Sequence, residues 1–194
     1  LKSGLATGAM TGIAIPAGSA STTSILNVNN NDFNNWGHTV AASGVIIFIQ
    51  VAAVNLTTAI NNNTFTNITV NTTGSVTFIS QTFTLTLVGG SKTVSGNSIV
   101  TAFSKTSAGG TVLLVTDNGS STTVVQSNCQ NNNFSNITVV LGTILTGLNF
   151  TDGGSAPSRI VSGNTLSNWT GGTSAVNCMN FTYWSGTTST LNSN

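Results

Sequence analysis

The sequence predicts an almost entirely β chain wound as a solenoid, and three observations carry that expectation. Charged residues make up 4% of the 194 residues, against roughly 25% in ordinary soluble domains, so neutral polar groups must supply solubility. Glu, Lys and Gln, which favour helices, are scarce, whereas Thr, Val, Ile and Phe suit a pleated, half-buried surface. One short motif returns every 32 to 35 residues, a period that marks stacked repeats. Hydrophobic residues at 39% separate the chain from disordered polar segments and allow it to bury a core. A single β-solenoid domain over residues 1–194 is expected.

Taken in order, "LKSGLATGAMTGIAI" (1–15) reads as a partial rung ahead of the first full motif. The motif is anchored on a large apolar residue at Phe33, Phe65, Ile99, Phe134 and Leu166, with spacings of 32, 34, 35 and 32 residues. Two residues before each anchor stands asparagine: Asn31, Asn63, Asn97, Asn132 and Asn164. Two residues after it stand Asn35, Asn67, Thr101, Asn136 and Asn168, and five before it Val28, Ile60, Val94, Cys129 and Val161. A weaker sixth copy centres on Phe181, with Met179 in the asparagine position. Between motifs lie strand-like arcs at 45–54, 75–88, 111–116 and 136–145, broken by "GG", "AGG" and "DGG" loops. The first arc, "VIIFIQVAAV", does not alternate, so both of its faces are expected to be covered, by a loop of the same chain or by another subunit or domain.

An asparagine amide carries donors and acceptors without charge. If each motif is one corner of a coil and coils stack about 4.8 Å apart, equivalent amides lie above one another and bond along the stack. The predicted structural ladder is Asn31, Asn63, Asn97, Asn132 and Asn164, with a second row at Asn35, Asn67, Asn136 and Asn168. The residue preceding the ladder, Asn30, Asn62, Gly96, Asn131 and Gly163, is a type that tolerates positive φ, as a tight corner requires. Trp36, Trp169 and Trp184 stand three residues after an anchor. They are either stacked corner aromatics or candidate ligand-facing aromatics for sugars.

The remaining chemistry is sparse. Lys92, Lys105, Asp117, Asp152 and Arg159 fall in polar connectors and read as surface loop residues. So few ionisable groups predict a stability insensitive to pH. Cys129 and Cys178 fit no zinc or redox spacing and are either a disulfide or two inert buried thiols. Of ten Asn-x-Ser/Thr sequons, about what the composition alone generates, Asn67, Asn136 and Asn168 sit at the second row, where a buried amide would escape glycosylation. "TFTLT" (82–86) has the Thr-x-Thr spacing of ice-binding faces, but "VLLVT" does not repeat it, and the plainer reading is a half-buried strand with Thr outward.

The runs "VSGNSI", "VSGNTLSNWTGG" and "INNNTFTNI" resemble the corner repeats of right-handed parallel β-helix proteins of the pectate-lyase-like superfamily. The style of "SGNTLSNWTGGTSAVNCMNFTYWSGTTST" is similar to β-helical surface and adhesin proteins of Bacteroidetes-type bacteria. The resemblance covers about residues 24–190. It implies a right-handed β-helix of five to six coils, whose long spacing means wide coils or protruding loops, and an extracellular or cell-surface location. Enzymes on this fold gather carboxylates for calcium or acid–base work. This chain has three, Asp32, Asp117 and Asp152, separated in sequence, and a lone His38. No catalytic, cofactor or metal residues are therefore assigned.

A net charge of +1 offers no footprint for nucleic acid, and no run is long enough for a membrane helix. The chain opens at Leu1 and is expected to be a segment of a longer repeat protein. The leading expectation is a secreted, non-catalytic stalk, filament or adhesin module that associates with itself, with neighbouring repeats or with surface glycans. A carbohydrate-binding or polysaccharide-degrading β-helix is the alternative, and an ice-binding protein the third.

Overall fold

The computed structural model describes residues 8–122, 124–151, 157–182, 184 and 188–194. It is all β, and its strands follow one another around a coil. The first coil holds β1 (Met10–Ile15), β2 (Ser21–Asn29), β3 (Asp32–Asn34) and β4 (Gly37–Ala42). The second holds β5 (Ile46–Val51), β6 (Asn55–Asn61), β7 (Thr64–Thr66) and β8 (Ile68–Thr72), and the third β9 (Val76–Gln81), β10 (Ser91–Ser95), β11 (Ser98–Ile99) and β12 (Phe103–Lys105). The fourth has β13 (Thr111–Asp117), β14 (Gln126–Gln130) and β15 (Ile137–Val139), and the fifth β16 (Ile144–Phe150), β17 (Ser158–Ser162) and β18 (Trp169–Thr170). β19 (Val176–Phe181) and β20 (Thr190–Asn192) begin a sixth turn.

Each strand pairs in parallel with its equivalent one coil away. The result is a parallel β-solenoid of about five turns with two six-stranded sheets, β1-β5-β9-β13-β16-β19 and β2-β6-β10-β14-β17-β20. A five-stranded sheet, β4-β8-β12-β15-β18, and the short corner sheet β3-β7-β11 complete the walls. Isolated bridges at Asn133 and Thr165 carry the corner through the fourth and fifth coils. The partial rung expected at the N-terminus is β1, paired with β5.

One core fills the coil. Its spine is aromatic: Phe33 stacks on Phe65 at 5.2 Å, and Phe48, Phe78 and Phe103 continue the contacts at 4.9 and 5.1 Å. Such pairs contribute about 0.5–1.5 kcal/mol each beyond the area they bury. The non-alternating run 45–54 has a local explanation. Pairing in its sheet joins Ile47 to Thr77 and Ile49 to Ile79 but skips Phe48 and Phe78, and the neighbouring rungs skip Leu114 and Gly147. At the skipped position the inward side changes phase: Ile46 and Phe48, then Ile49 and Val51, are buried, so the consecutive side chains of Phe48 and Ile49 both enter the core. Neither an overlying loop nor a second subunit is needed to bury them.

The sixth motif copy is a correction. Phe181 is a sheet residue, in register with Phe150 and stacked on it at 5.3 Å. The sixth corner lies later, at Ser193, which has φ +51°, and Asn194.

Candidate functional site: the asparagine corner, the buried charges and the loop groove

The ladder is a column of six amides. Asn31 Nδ2 donates to Asn63 Oδ1 at 2.8 Å, Asn63 to Asn97 at 2.8 Å, Asn97 to Asn132 at 2.9 Å and Asn132 to Asn164 at 2.9 Å. Asn164 donates to Asn194 at 2.8 Å. Each Oδ1 from Asn63 on also accepts the backbone N–H of the asparagine in the preceding coil, at 3.0–3.2 Å. Each Nδ2 from the second coil on also reaches back to the carbonyl of Val28, Ile60, Val94, Cys129 or Val161. Those carbonyls belong to the motif position five before the anchor, so the spacing read in the sequence is a hydrogen-bond circuit. Asn63, Asn97 and Asn132 are at most 1% exposed; with donors and acceptors all used, they escape the cost of burying a bare amide.

The preceding position bends the chain. Asn30, Asn62 and Asn131 have φ of 55–59° and Gly96 and Gly163 of 65–67°. A Cβ at Gly96 would meet the Asn62 amide oxygen above it, and one at Gly163 that of Asn131. Glycine at these two positions leaves room for that amide oxygen.

The second row behaves differently. Asn35, Asn67, Asn136 and Asn168 all have φ of 53–60° and are exposed. Asn67 donates to Asn35 at 3.2 Å and Asn168 to Asn136 at 3.1 Å, while Thr101 interrupts the row with its Oγ1 on the Asn67 N–H at 2.6 Å. Burial therefore does not shield the sequons at Asn67, Asn136 and Asn168.

The tryptophans do not form a row. Trp36 and Trp169 share one column, but at opposite ends of the coil, with Ile68, Phe103 and Ile137 between them. Trp36 packs on Phe33 and Phe48, and Trp169 donates its indole N–H to the Phe134 carbonyl at 2.7 Å. Trp184 is 38% exposed and lies edge-on to Phe181 at 4.7 Å.

The charges overturn the surface-loop expectation. Lys92, Lys105, Asp117 and Arg159 are at most 1% exposed, and Asp152 lies outside the described residues. Lys92 Nζ pairs with Asp117 Oδ1 at 2.9 Å, donates to the Phe83 carbonyl at 2.9 Å, and lies 4.4 Å from the Phe83 ring centre. Arg159 faces the Phe150 ring at 4.8 Å. Lys92 and Arg159 belong to one inward column of the second sheet, with Thr58 and Ser127. Asp117 stands in the inward column of the first sheet beside Gln81. Both columns meet at the corner where the third and fourth coils bulge. Lys105 donates to the carbonyls of Ser107 and Gly109 at 2.6 and 2.7 Å, and burial lowers its pKa to about 8. His38 is buried and its Nδ1 bonds the Asn71 carbonyl, while Asp32 is exposed and accepts from Thr64 Oγ1. Among the described residues no three of His, Cys, Asp and Glu converge as a metal site would need.

Neither cysteine reading holds for both residues. Both thiols are free: Cys129 is buried, with desolvation pushing its pKa up to about 12, whereas Cys178 is exposed.

The bulge itself was visible only as longer spacing. After β9 the chain runs outward through Thr82–Gly90, where Phe83 and Leu85 are buried, Thr82, Thr84 and Thr86 point to solvent, and Leu85 bridges Ser121. Beside this arm lies an open groove of about 400 Å³, with Gly89, Ser91, Val124, Gln126, Ser158 and Thr188 in its lining. No motif signalled it, because its residues come from four different coils.

No protein-family model matches the chain, and comparisons with curated proteins and with solved structures returned no match. Among the described residues no helix is long and apolar enough to cross a membrane.

Proposed function

We propose that this chain is an extracellular, non-catalytic structural solenoid, a stalk, filament or surface-adhesin module of the pectate-lyase-like and Bacteroidetes-type kind its corner repeats resemble. One observation carries the reading: the amide-to-amide bonds of the asparagine column from Asn31 to Asn194 are directional, each Nδ2 donating to the Oδ1 one coil nearer the C-terminal end. A directional column is extended by any further coil of the same kind, from a neighbouring repeat or from a second copy. Lys92, Lys105, Asp117 and Arg159, folded inward, leave a surface made largely of neutral Thr, Ser and Asn. Such a surface neither repels its copies nor attracts polyanions. It suits exposure to varying salt.

Electron microscopy and fibre diffraction of the native material test this. Fibres with an axial reflection near the strand spacing of ~4.8 Å are expected; monodisperse particles that cleave polysaccharide would instead support the enzymatic alternative. The carbohydrate-binding reading is favoured by one feature, the groove at the bulged corner.

A further inference from the structure

We infer that the groove at the bulged corner binds an uncharged oligosaccharide lying along the solenoid axis. This deepens the adhesive reading by naming a ligand class, and depends on that reading only for its setting.

The chemistry of the groove points to a neutral polyol. Its walls are hydroxyls, one amide, main-chain groups and the side chain of Val124, with no ionisable residue among them. An anionic polysaccharide or a nucleic-acid backbone would be desolvated there without a counter-charge. A sugar needs what is present: donors and acceptors in the ring plane, and an apolar patch for its C–H face. Val124, 47% exposed, supplies the patch. The Gln126 side chain is exposed and makes no hydrogen bond among the described residues, so both ends of its amide can meet a ligand.

Spacing gives the ligand its direction. Ser91, Gln126 and Ser158 are register partners on successive rungs, and Thr188 Oγ1 donates to Ser158 Oγ at 3.1 Å in the next. The groove therefore offers one polar side chain per strand spacing of ~4.8 Å, close to the rise per residue of an extended glycan. The backbone cannot add a peptide strand. Gln126 N–H is already used on the Gly90 carbonyl at 3.0 Å, and Ser158 N–H on that of Val125 at 3.1 Å. Recognition is left to side chains on a floor fixed by paired strands, so little ordering cost accompanies binding. Gly89, with φ +74°, has only open space where a side chain would stand, which keeps the mouth wide.

The test is an amide-resolved NMR titration of the intact chain with cello-, malto-, manno- and xylo-oligosaccharides, and with an oligogalacturonide as the anionic control. Expected are saturable shifts confined to Gly89, Ser91, Gln126 and Ser158 with at least one neutral series, unaffected by salt. Gln126→Ala should weaken binding roughly five-fold, as loss of one or two hydrogen bonds implies. Ser158→Trp, which fills the groove, should abolish it while the remaining spectrum stays native. Failure of every neutral series to saturate, preference for the oligogalacturonide, or equal affinity in both variants would overturn the inference. Fibre formation followed in the same variants reports on the stalk reading separately, since neither residue touches the asparagine column.

Discussion

An asparagine at the inner corner of this coil does what neither a charged nor an apolar residue can: fully buried, it accepts from the coil before it and donates both to the coil after it and back to a carbonyl of the coil before. Asn97→Ala removes the acceptor of the Asn63 N–H and Nδ2 and the donor to the Ile60 carbonyl. Buried groups left unpaired cost about 1–3 kcal/mol each. Chemical denaturation should therefore show a loss of at least ~3 kcal/mol. Asn136→Gly, at an exposed corner that needs only a positive φ, should change stability by under ~1 kcal/mol. Comparable losses in both variants would mean the buried column carries no special weight.

Lys105 sets a pH dependence that composition alone did not suggest. Its folded pKa of about 8 lies below the ordinary lysine value of about 10.4. Between the two the unfolded chain holds the proton that the folded chain has released, so stability rises with pH across that window and is level below it. Lys105→Met should flatten the profile between pH 8 and pH 10. An unchanged slope in the variant would assign it to another group.

Elements show what could be read in the residues and what could not. The corner was legible because its hydrogen bonds are local in register: each coil repeats the same donor, acceptor and positive-φ residue at fixed offsets. The arcs of β5, β9 and β13 were legible as strands, whereas 136–145 ran β15 and the start of β16 together across the turn between them; the change of inward phase at Phe48 and Phe78 was not legible, because a run of apolar residues looks the same whether one face or two are buried. The charges were misplaced for a similar reason. Lys92 and Asp117 are separated by 25 residues and meet only because the bulge brings the third and fourth coils to one corner. Asn194 was missed because its turn is 30 residues long, shorter than the 32 to 35 of the other spacings.

The ion pair makes a prediction at this scale. Removing one partner from a buried pair costs about 3–5 kcal/mol, whereas replacing both by apolar residues is often neutral. Lys92→Met alone should therefore be far less stable than Lys92→Met with Asp117→Leu, as a thermal-unfolding double-mutant cycle reads out. A double variant as unstable as the single would mean that the corner needs its charges for shape.

On the scale of the whole molecule, stability is a matter of stacking. Each coil pairs only with its neighbours, so the fold behaves as a one-dimensional array whose cooperativity depends on what couples the rungs. The parallel ladders and the aromatic spine couple the walls and the interior, and the amide column couples the corner. Fold class followed from composition and period, because both report the stack directly. Function is less legible for the same physical reason: a stacked array is specified by residues facing inward, and these say little about what the outer faces meet.

Hydrogen exchange of the side-chain amides, resolved by NMR, tests the column most directly. The Nδ2 protons of Asn63, Asn97 and Asn132 are predicted to exchange as slowly as backbone amides of the core strands, while those of the exposed Asn35 exchange at the rate of free solvent-facing amides. Fast exchange of the three buried amides, alongside protected backbone strands, would contradict the account.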